Sequence, residues 1–373
     1  MERLINSRLV WHLEKRNILI PEQAGFRHHR STENQVAYIA QHIEDGFQDK
    51  RHTLAVTARA QVNGAHSRQK TLREGVPQGG VLSPTLFLIY VNDIIAELPR
   101  KIHSALYADD MALWCSEEYI TTDNYRMQQA LEVLESWTKK WSVKVNSTKT
   151  TYTVFSLSPK EQKVTLRLGN QTLNAEDNPT YLGVTFDKRL TWKQHTQRTE
   201  SRAKARLALM KKLASTTWGA DASTLRRLYT GRVRPVLEYG MAAWGTTAKT
   251  NMDKMSNVQN QAARIITGSM RSTPIQELET ITGLQPLLDR CHERLLTQAA
   301  KFKRLSGHPM EKRMYQPTRG RLIRGKTLST KADALNKDTE TSSNKTSKRF
   351  PSVLRSLPGA KKDISLSKAA YQE

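Results

Sequence analysis

Residues Ser104–Cys115 read SALYADDMALWC. Two apolar stretches, Ala105-Leu106 and Ala112-Leu113-Trp114, flank the adjacent carboxylates Asp109 and Asp110. The pattern predicts an antiparallel hairpin over 104–115 with both aspartates at or beside its turn. Adjacent carboxylates repel one another unless a cation shares their site. An ordinary polar turn also uses Asp, but here core strands run into the turn from both sides. Such an edge suits two-metal phosphoryl transfer, in which one Mg²⁺ activates an attacking hydroxyl and the other stabilises the leaving group. Tyr107 and Trp114 are read as core residues, because aromatic side chains beside a strand turn usually pack.

Working outward, Gly75–Pro84 reads GVPQGGVLSP. Its glycines allow close backbone approach and Pro77 sets a rigid turn. Ser83 and Pro84 fit an N-cap and first helical position, which predicts a helix over 83–98. Further upstream, Ile5, Leu9, Val10 and Leu13 recur at helical spacing, so 2–16 is read as a helix. Pro21 opens a basic loop over 21–33, and 33–49 reads as helix again. Leu54–Val56 begins a strand that stops abruptly, and Asn63-Gly64 marks a hairpin within 60–72. Downstream, Met127, Leu131, Leu134 and Trp137 predict a helix over 124–141, followed by short strands at 151–157, 163–168 and 180–186. Ala203, Leu207, Met210 and Leu213 mark a long helix with a basic outer face, and a further helix runs from Ser223 to Pro235. Thr273–Gln276 reads as a capping box opening another.

Charge bounds the partners. Lys and Arg number 59 against 35 Asp and Glu, a net charge of +24 in 373 residues with a sequence pI near 10.1. That surplus points to a polyanion. The two cysteines, Cys115 and Cys291, are far apart and form no CxxC pair, so neither a disulfide framework nor a zinc site is expected. No apolar run is long enough to span a bilayer.

The order of these motifs resembles the reverse transcriptase of non-LTR, jockey-like retrotransposons. The resemblance rests on Pro77-Gln78-Gly79 with Leu82-Ser83-Pro84, Asn92-Asp93 and Tyr107–Asp110. It extends to Pro21–Arg27 with Arg30-Ser31-Thr32, to Asn146 with Lys149-Thr150, to Tyr181-Leu182-Gly183, and to Arg234-Pro235 with Leu237–Gly240 and Trp244. It implies an α+β, right-hand polymerase fold: partial fingers (1–57), palm (58–190), helical thumb and C-terminal region (191–318), and a basic, largely disordered tail (319–373). It also implies catalytic, metal-binding roles for Asp109 and Asp110, with Mg²⁺ or Mn²⁺ as cofactor. Nucleotide or template contacts would come from Arg27, Arg30, Pro77, Gln78, Gly79 and Lys149, and a primer grip from Tyr181, Leu182 and Gly183. The implied partners are an RNA template, a DNA primer and deoxynucleoside triphosphates.

One expected feature is missing. In this family a strand before the PQG loop ends in an aspartate that bridges both metals, whereas Lys50–Arg73 contains no Asp or Glu. The expectation is an internal deletion that interrupts the central palm strand, and a first fingers motif truncated at the N-terminus. Little or no polymerase activity is then expected, and a non-catalytic nucleic-acid-binding remnant is the alternative. A maturase-like relative from group II introns, which also carries a YADD hairpin, fits less well with the pattern from Arg234 to Trp244. Asp45, Asp49 and Asp93 are poor substitutes for the missing carboxylate. The sequence leaves oligomeric state and localisation open.

Overall fold

A computed structural model describes residues 1–61, 79–141, 143–160, 162–214, 219–305, 307–316 and 327–343. The hairpin forms where its pattern places it: β2 (His103–Tyr107) and β3 (Asp110–Cys115) pair antiparallel from His103↔Trp114 to Tyr107↔Asp110. Beside β3 lies β1 (Thr53–Gln61), which pairs with β3 from Leu54↔Cys115 to Arg59↔Asp110. On its other edge β1 pairs with β5 (Thr151–Phe155) and β4 (Lys144–Val145). A parallel partner, β8 (Asn174–Ala175), completes the six-stranded sheet, and β6 (Arg167–Leu168) with β7 (Gln171–Thr172) forms a separate hairpin.

The expected interruption of the central strand is therefore corrected. Leu54–Val56 continues without a break into Ala60 and Gln61, so β1 is a nine-residue strand and neither neighbour lacks ladder partners. What the strand lacks is acid.

Both faces of the sheet are buried. Ala55, Ala105, Ala112, Trp114 and Phe155 face α2 (Thr32–Gln48) and the C-terminal helices. Leu54, Val56, Leu106, Met111, Leu113 and Cys115 alternate onto the other side, against Met127, Leu131, Leu134 and Trp137 of α4 (Ile120–Lys140). A strand covered on both faces reads as a continuous apolar run, and each fully buried large aliphatic side chain contributes about 1.5–3 kcal/mol. Trp114 is fully buried, edge-on to Tyr38 with ring centroids 5.0 Å apart, and Tyr107 is half-buried.

The N-terminal α1 (Glu2–Lys15) packs Leu13 with Leu19 against Leu88 of α3 (Ser83–Tyr90). α3 is shorter than expected, and Leu82 rather than Ser83 occupies its N-cap. The Leu82 amide donates to Glu2 Oε1 at 3.0 Å. Past Tyr90 the chain runs in tight turns, with Ile94, Ala96 and Leu98 amides each bonded three residues back. There the Asn92 side chain joins the segment before Pro21: its Oδ1 accepts from the Ile20 amide at 2.9 Å and its Nδ2 donates to the Ile18 carbonyl at 2.8 Å.

A small hairpin, β9 (Thr180–Tyr181) and β10 (Val184–Thr185), leads into the helical part: α5 (Lys193–Leu213), α6 (Ala222–Leu228), a π-turn over Tyr229–Val233, and α7 (Arg234–Glu238). Then follow α8 (Met241–Trp244), α9 (Lys249–Thr267), α10 (Ile275–Thr282), α11 (Leu287–Arg304) and α12 (Pro309–Tyr315). α10 starts at Ile275, one residue later than the capping box places it, with Pro274 rather than Thr273 as its N-cap.

The expected disorder beyond residue 319 is corrected over 328–343, which form α13 (Leu328–Ser343). Leu328 and Ala332 are buried in the same core as α2 and α11, and the Ser329 amide donates to Gln41 Oε1 at 3.1 Å. Leu328 and Ala332 lie one helical turn apart on the face that is buried, within a helix that is otherwise mostly polar.

Candidate active site

Asp109 stands in the two-residue turn Ala108-Asp109 that closes the β2–β3 hairpin. Ala108 has φ +55°, a left-handed conformation that costs a residue with a Cβ about 1–2 kcal/mol. Asp109 is exposed and Asp110 half-buried. Buried Tyr181 lies close by. Burial, and secondarily the charge of Asp110, pushes its phenol well above the usual range.

Elements distant in sequence hold the turn. The loop after Pro21 crosses the end of β2, where the Ala24 amide donates to the Leu106 carbonyl at 2.9 Å and the Leu106 amide to Glu22 at 3.0 Å. Gln35 of α2 sends its Nε2 to the same two carbonyls, Glu22 at 2.6 Å and Leu106 at 3.0 Å. Gln23 Oε1 accepts from the Gly25 amide at 2.8 Å and from the Ala108 amide at 3.2 Å. A Cβ on Gly25 would collide with the Ala108 backbone nitrogen, so only glycine allows the loop this close. Gln23 and Gly25 lie within the Pro21–Arg27 motif, which by itself assigns neither a role. No local signal marks Gln35.

Tyr181, Leu182 and Gly183 sit together at the β9–β10 hairpin, whose turn carries positive φ at Leu182 (+46°) and Gly183 (+80°), the two-residue geometry that suits twisted strands. The Tyr181 hydroxyl donates to the Ala105 carbonyl at 3.1 Å, joining this hairpin to β2. From the other side, the Tyr239 hydroxyl donates to the Leu182 carbonyl at 2.6 Å and lies 3.0 Å from Thr32 Oγ1. The structure thus brings Asp109, Asp110 and the 181–183 turn into one neighbourhood.

The other candidates are placed less uniformly. Arg27 is buried and engaged internally: its Nε and Nη2 donate to Glu14 at 2.7 Å each, and its Nη1 donates to the Ile20 and Gln23 carbonyls at 2.6 and 3.1 Å. These bonds tie the loop after Pro21 to α1 and occupy most of the guanidinium's donors. Arg30 donates to the Pro21 carbonyl, and burial, with Arg27 nearby, lowers it to about 10. Gly79 has φ +90°. Pro77 and Gln78 lie outside the described residues. Lys149 is exposed at the end of a short 3₁₀ turn whose backbone is capped by Asn146 Oδ1.

The carboxylates considered as substitutes are engaged elsewhere. Arg313 grips Asp45 with two bonds of 2.6 Å, Trp137 Nε1 donates to Asp93 at 2.9 Å, and Asp49 ends α2. Across the β1–β3 ladder, the residue opposite Asp110 is Arg59. Among the described residues no group of three or more His, Cys, Asp or Glu could hold a metal ion. Two neighbouring carboxylates suit one hydrated Mg²⁺ completed by water or phosphate oxygens. They do not furnish the donors from two strands that a pair of ions requires.

A basic surface runs along α5. His195, Thr199, Ala203, Leu207 and Met210 face inward, while Arg198, Arg202, Lys204, Arg206, Lys211 and Lys212 are exposed. Burial, with Arg202 and Arg198 nearby, lowers His195 to about 4, so this helix keeps its inner face neutral. No helix among the described residues is long and apolar enough to cross a membrane.

Comparison with known proteins agrees with this geometry. Residues 1–186 match the reverse transcriptase (RNA-dependent DNA polymerase) family. The chain is 31% identical over 315 residues to a protein named as a probable RNA-directed DNA polymerase from transposon BS of Drosophila melanogaster, covering 71% of this chain and 34% of that one. It is 26% identical to the RNA-directed DNA polymerase from mobile element jockey of the same fly, over 68% of this chain and 28% of the relative. A probable RNA-directed DNA polymerase from transposon X-element is 24% identical, over 79% and 38%. The chain thus spans about a third of the length of these relatives. With a YADD hairpin at the edge of a doubly covered sheet and these relatives, the chain belongs to the reverse transcriptases of non-LTR retrotransposons.

Proposed function

We propose that this chain is a right-hand RNA-directed DNA polymerase whose nucleotidyl transfer is absent or slow in this form. In this reading residues 1–57 belong to the fingers, 58–190 to the palm and 191–318 to the thumb and adjoining helices. RNA template, DNA primer and deoxynucleoside triphosphates are the substrates. The observation that carries the reading is the pairing register of β1 with β3. It sets a basic residue, Arg59, opposite Asp110, where two-metal transfer calls for a carboxylate on the neighbouring strand.

Asp109 and Asp110 can hold one hydrated divalent ion, which when bound neutralises phosphate charge. Lys149 is exposed and can approach a phosphate, and the 181–183 turn, pinned to β2 and to Tyr239 at the end of α7, supports a primer terminus. Positioning accounts for most of the catalysis in this chemistry, and here one side of the positioning is lacking. The test is primer extension on an RNA template with Mg²⁺ or Mn²⁺, beside Asp109→Ala. Extension at the background level of that variant is expected; robust extension abolished by the substitution would refute the loss of activity.

The exposed basic side of α5 favours a second reading, a nucleic-acid-binding remnant without catalysis. Binding of an RNA–DNA hybrid without extension would distinguish it from an active polymerase.

A further inference from the structure

We infer that Gln23 is the positioning residue of the YADD turn: its side-chain carbonyl holds Ala108 in the left-handed conformation that presents Asp109. The inference rests on the reading of Asp109 as the metal-binding carboxylate, and goes beyond it by naming what aims that group.

Four observations converge. Ala108 takes a positive φ although it carries a Cβ, so something outside the turn must stabilise that conformation. The Ala108 amide has its acceptor in Gln23 Oε1, which belongs to a segment 85 residues away in sequence. Gln23 is 1% exposed, and both of its bonding neighbours, the Gly25 and Ala108 amides, are donors. That fixes the amide orientation: the oxygen must face them, and Nε2 is left buried without a hydrogen-bond partner. A side chain that leaves its own donor unsatisfied in order to accept twice is placed for the acceptor. Finally, Gly25 admits no side chain against the same nitrogen, so the loop and the turn are fitted backbone to backbone.

The clamp has a second anchor. Arg27 donates to the Gln23 backbone carbonyl at 3.1 Å while paired to Glu14 of α1, and Gln35 of α2 binds the flanking Glu22 and Leu106 carbonyls. Gln23 therefore transmits the position of two helices to one amide of the turn. The residues that would move together with Asp109 are those of the N-terminal segment, rather than of the strands alone.

The experiment compares amide hydrogen exchange over residues 107–110 in the unmodified chain, Gln23→Met and Gln23→Glu, with circular dichroism as a check on folding. Met fills the space without an acceptor; Glu keeps an acceptor oxygen in either protonation state. Exchange over 107–110 should quicken roughly ten-fold in Gln23→Met, the effect of losing one buried acceptor. It should return towards the original rate in Gln23→Glu, and exchange in α9 should stay unchanged in both. If Gln23→Met does not fold, Gly25→Ala replaces it and should quicken the same amides by separating loop from turn. Unchanged exchange over 107–110, or equal loss in the Met and Glu variants, would overturn the inference.

Mn²⁺ affinity read in parallel separates the two claims. Weaker binding in Gln23→Met supports the positioning role. Quickened exchange with undiminished binding, in a chain whose binding Asp109→Ala abolishes, would overturn it. Equal binding in the unmodified chain and Asp109→Ala would refute the metal reading of Asp109, while the exchange rates would still decide the clamp.

Discussion

The Tyr239 hydroxyl donates to the Leu182 carbonyl at 2.6 Å, tying the residue that ends α7 to the turn of the β9–β10 hairpin. The same hairpin is fastened to β2 through Tyr181 and Ala105, so it bridges the sheet and the C-terminal helices. Gly240, next in sequence, could not carry a Cβ without approaching Val184 Cγ2 to 2.8 Å.

Removing that tie should loosen the bridge without unfolding the sheet. Tyr239→Phe is expected to lower stability by about 1 kcal/mol, the net worth of one hydrogen bond. Amide exchange over 180–185 should quicken more than that over β2 or β3. Denaturant melts with exchange readout check both.

Glu44 supplies a pH dependence. Burial pushes its carboxyl up to about 8, although Thr246 donates to it at 3.2 Å. The folded chain therefore keeps a proton that the unfolded chain releases near the ordinary carboxylate value. Stability should be fullest below that value and decline as pH rises towards about 8. Glu44→Gln should remove this decline, gaining on the order of 1–2 kcal/mol at alkaline pH. Urea melts at several pH values give the comparison.

Glu14 works in the opposite sense. Its hydrogen bonds from Arg27 hold the carboxyl below its ordinary value, against the opposing effect of burial. The pair stabilises above the unfolded-state value, and that stability is lost as pH falls through the lower, folded one. Arg27→Met should destabilise the chain near neutral pH and flatten the acid limb of the stability profile. It should do so whether or not nucleic acid is present, because the guanidinium is engaged inside the protein.

If the missing carboxylate limits metal binding, the β1–β3 register names where to restore it. Arg59→Asp sets an acid across the ladder from Asp110 and removes a positive charge. Mn²⁺ should then bind at least about ten-fold more tightly, since affinity rises with the number of charged oxygen ligands. Isothermal titration of both chains decides it, and no gain would mean that position 59 is not the missing corner.

Nucleic-acid binding should be electrostatic and follow α5. Log affinity for an RNA–DNA hybrid is expected to fall linearly with log salt concentration. Replacing Arg202 and Lys211 by Ala should make that slope shallower by roughly one for each phosphate no longer neutralised. A slope unchanged in the double variant would move the interface elsewhere.

The sequence by itself determined the hairpin at 104–115, the helices α1, α2, α4 and α5 over most of their length, and the basic face of α5. Each is written in a local period: alternation for a strand, a three-to-four-residue repeat for a helix. It also shows that Lys50–Arg73 holds no Asp or Glu, which needs no coordinates. Only the tertiary structure decided that β1 runs unbroken, that Arg59 stands opposite Asp110 in the ladder, and that Arg27 pairs with Glu14. Strand register is set by both neighbours at once, and a shift of one residue exchanges the faces of the whole strand. The bond from Ala108 to Gln23 joins segments 85 residues apart, and α13 is seated by Leu328 and Ala332 in a core built elsewhere. Such contacts leave no periodic trace, because each depends on where a distant backbone presents a single donor, acceptor or pocket.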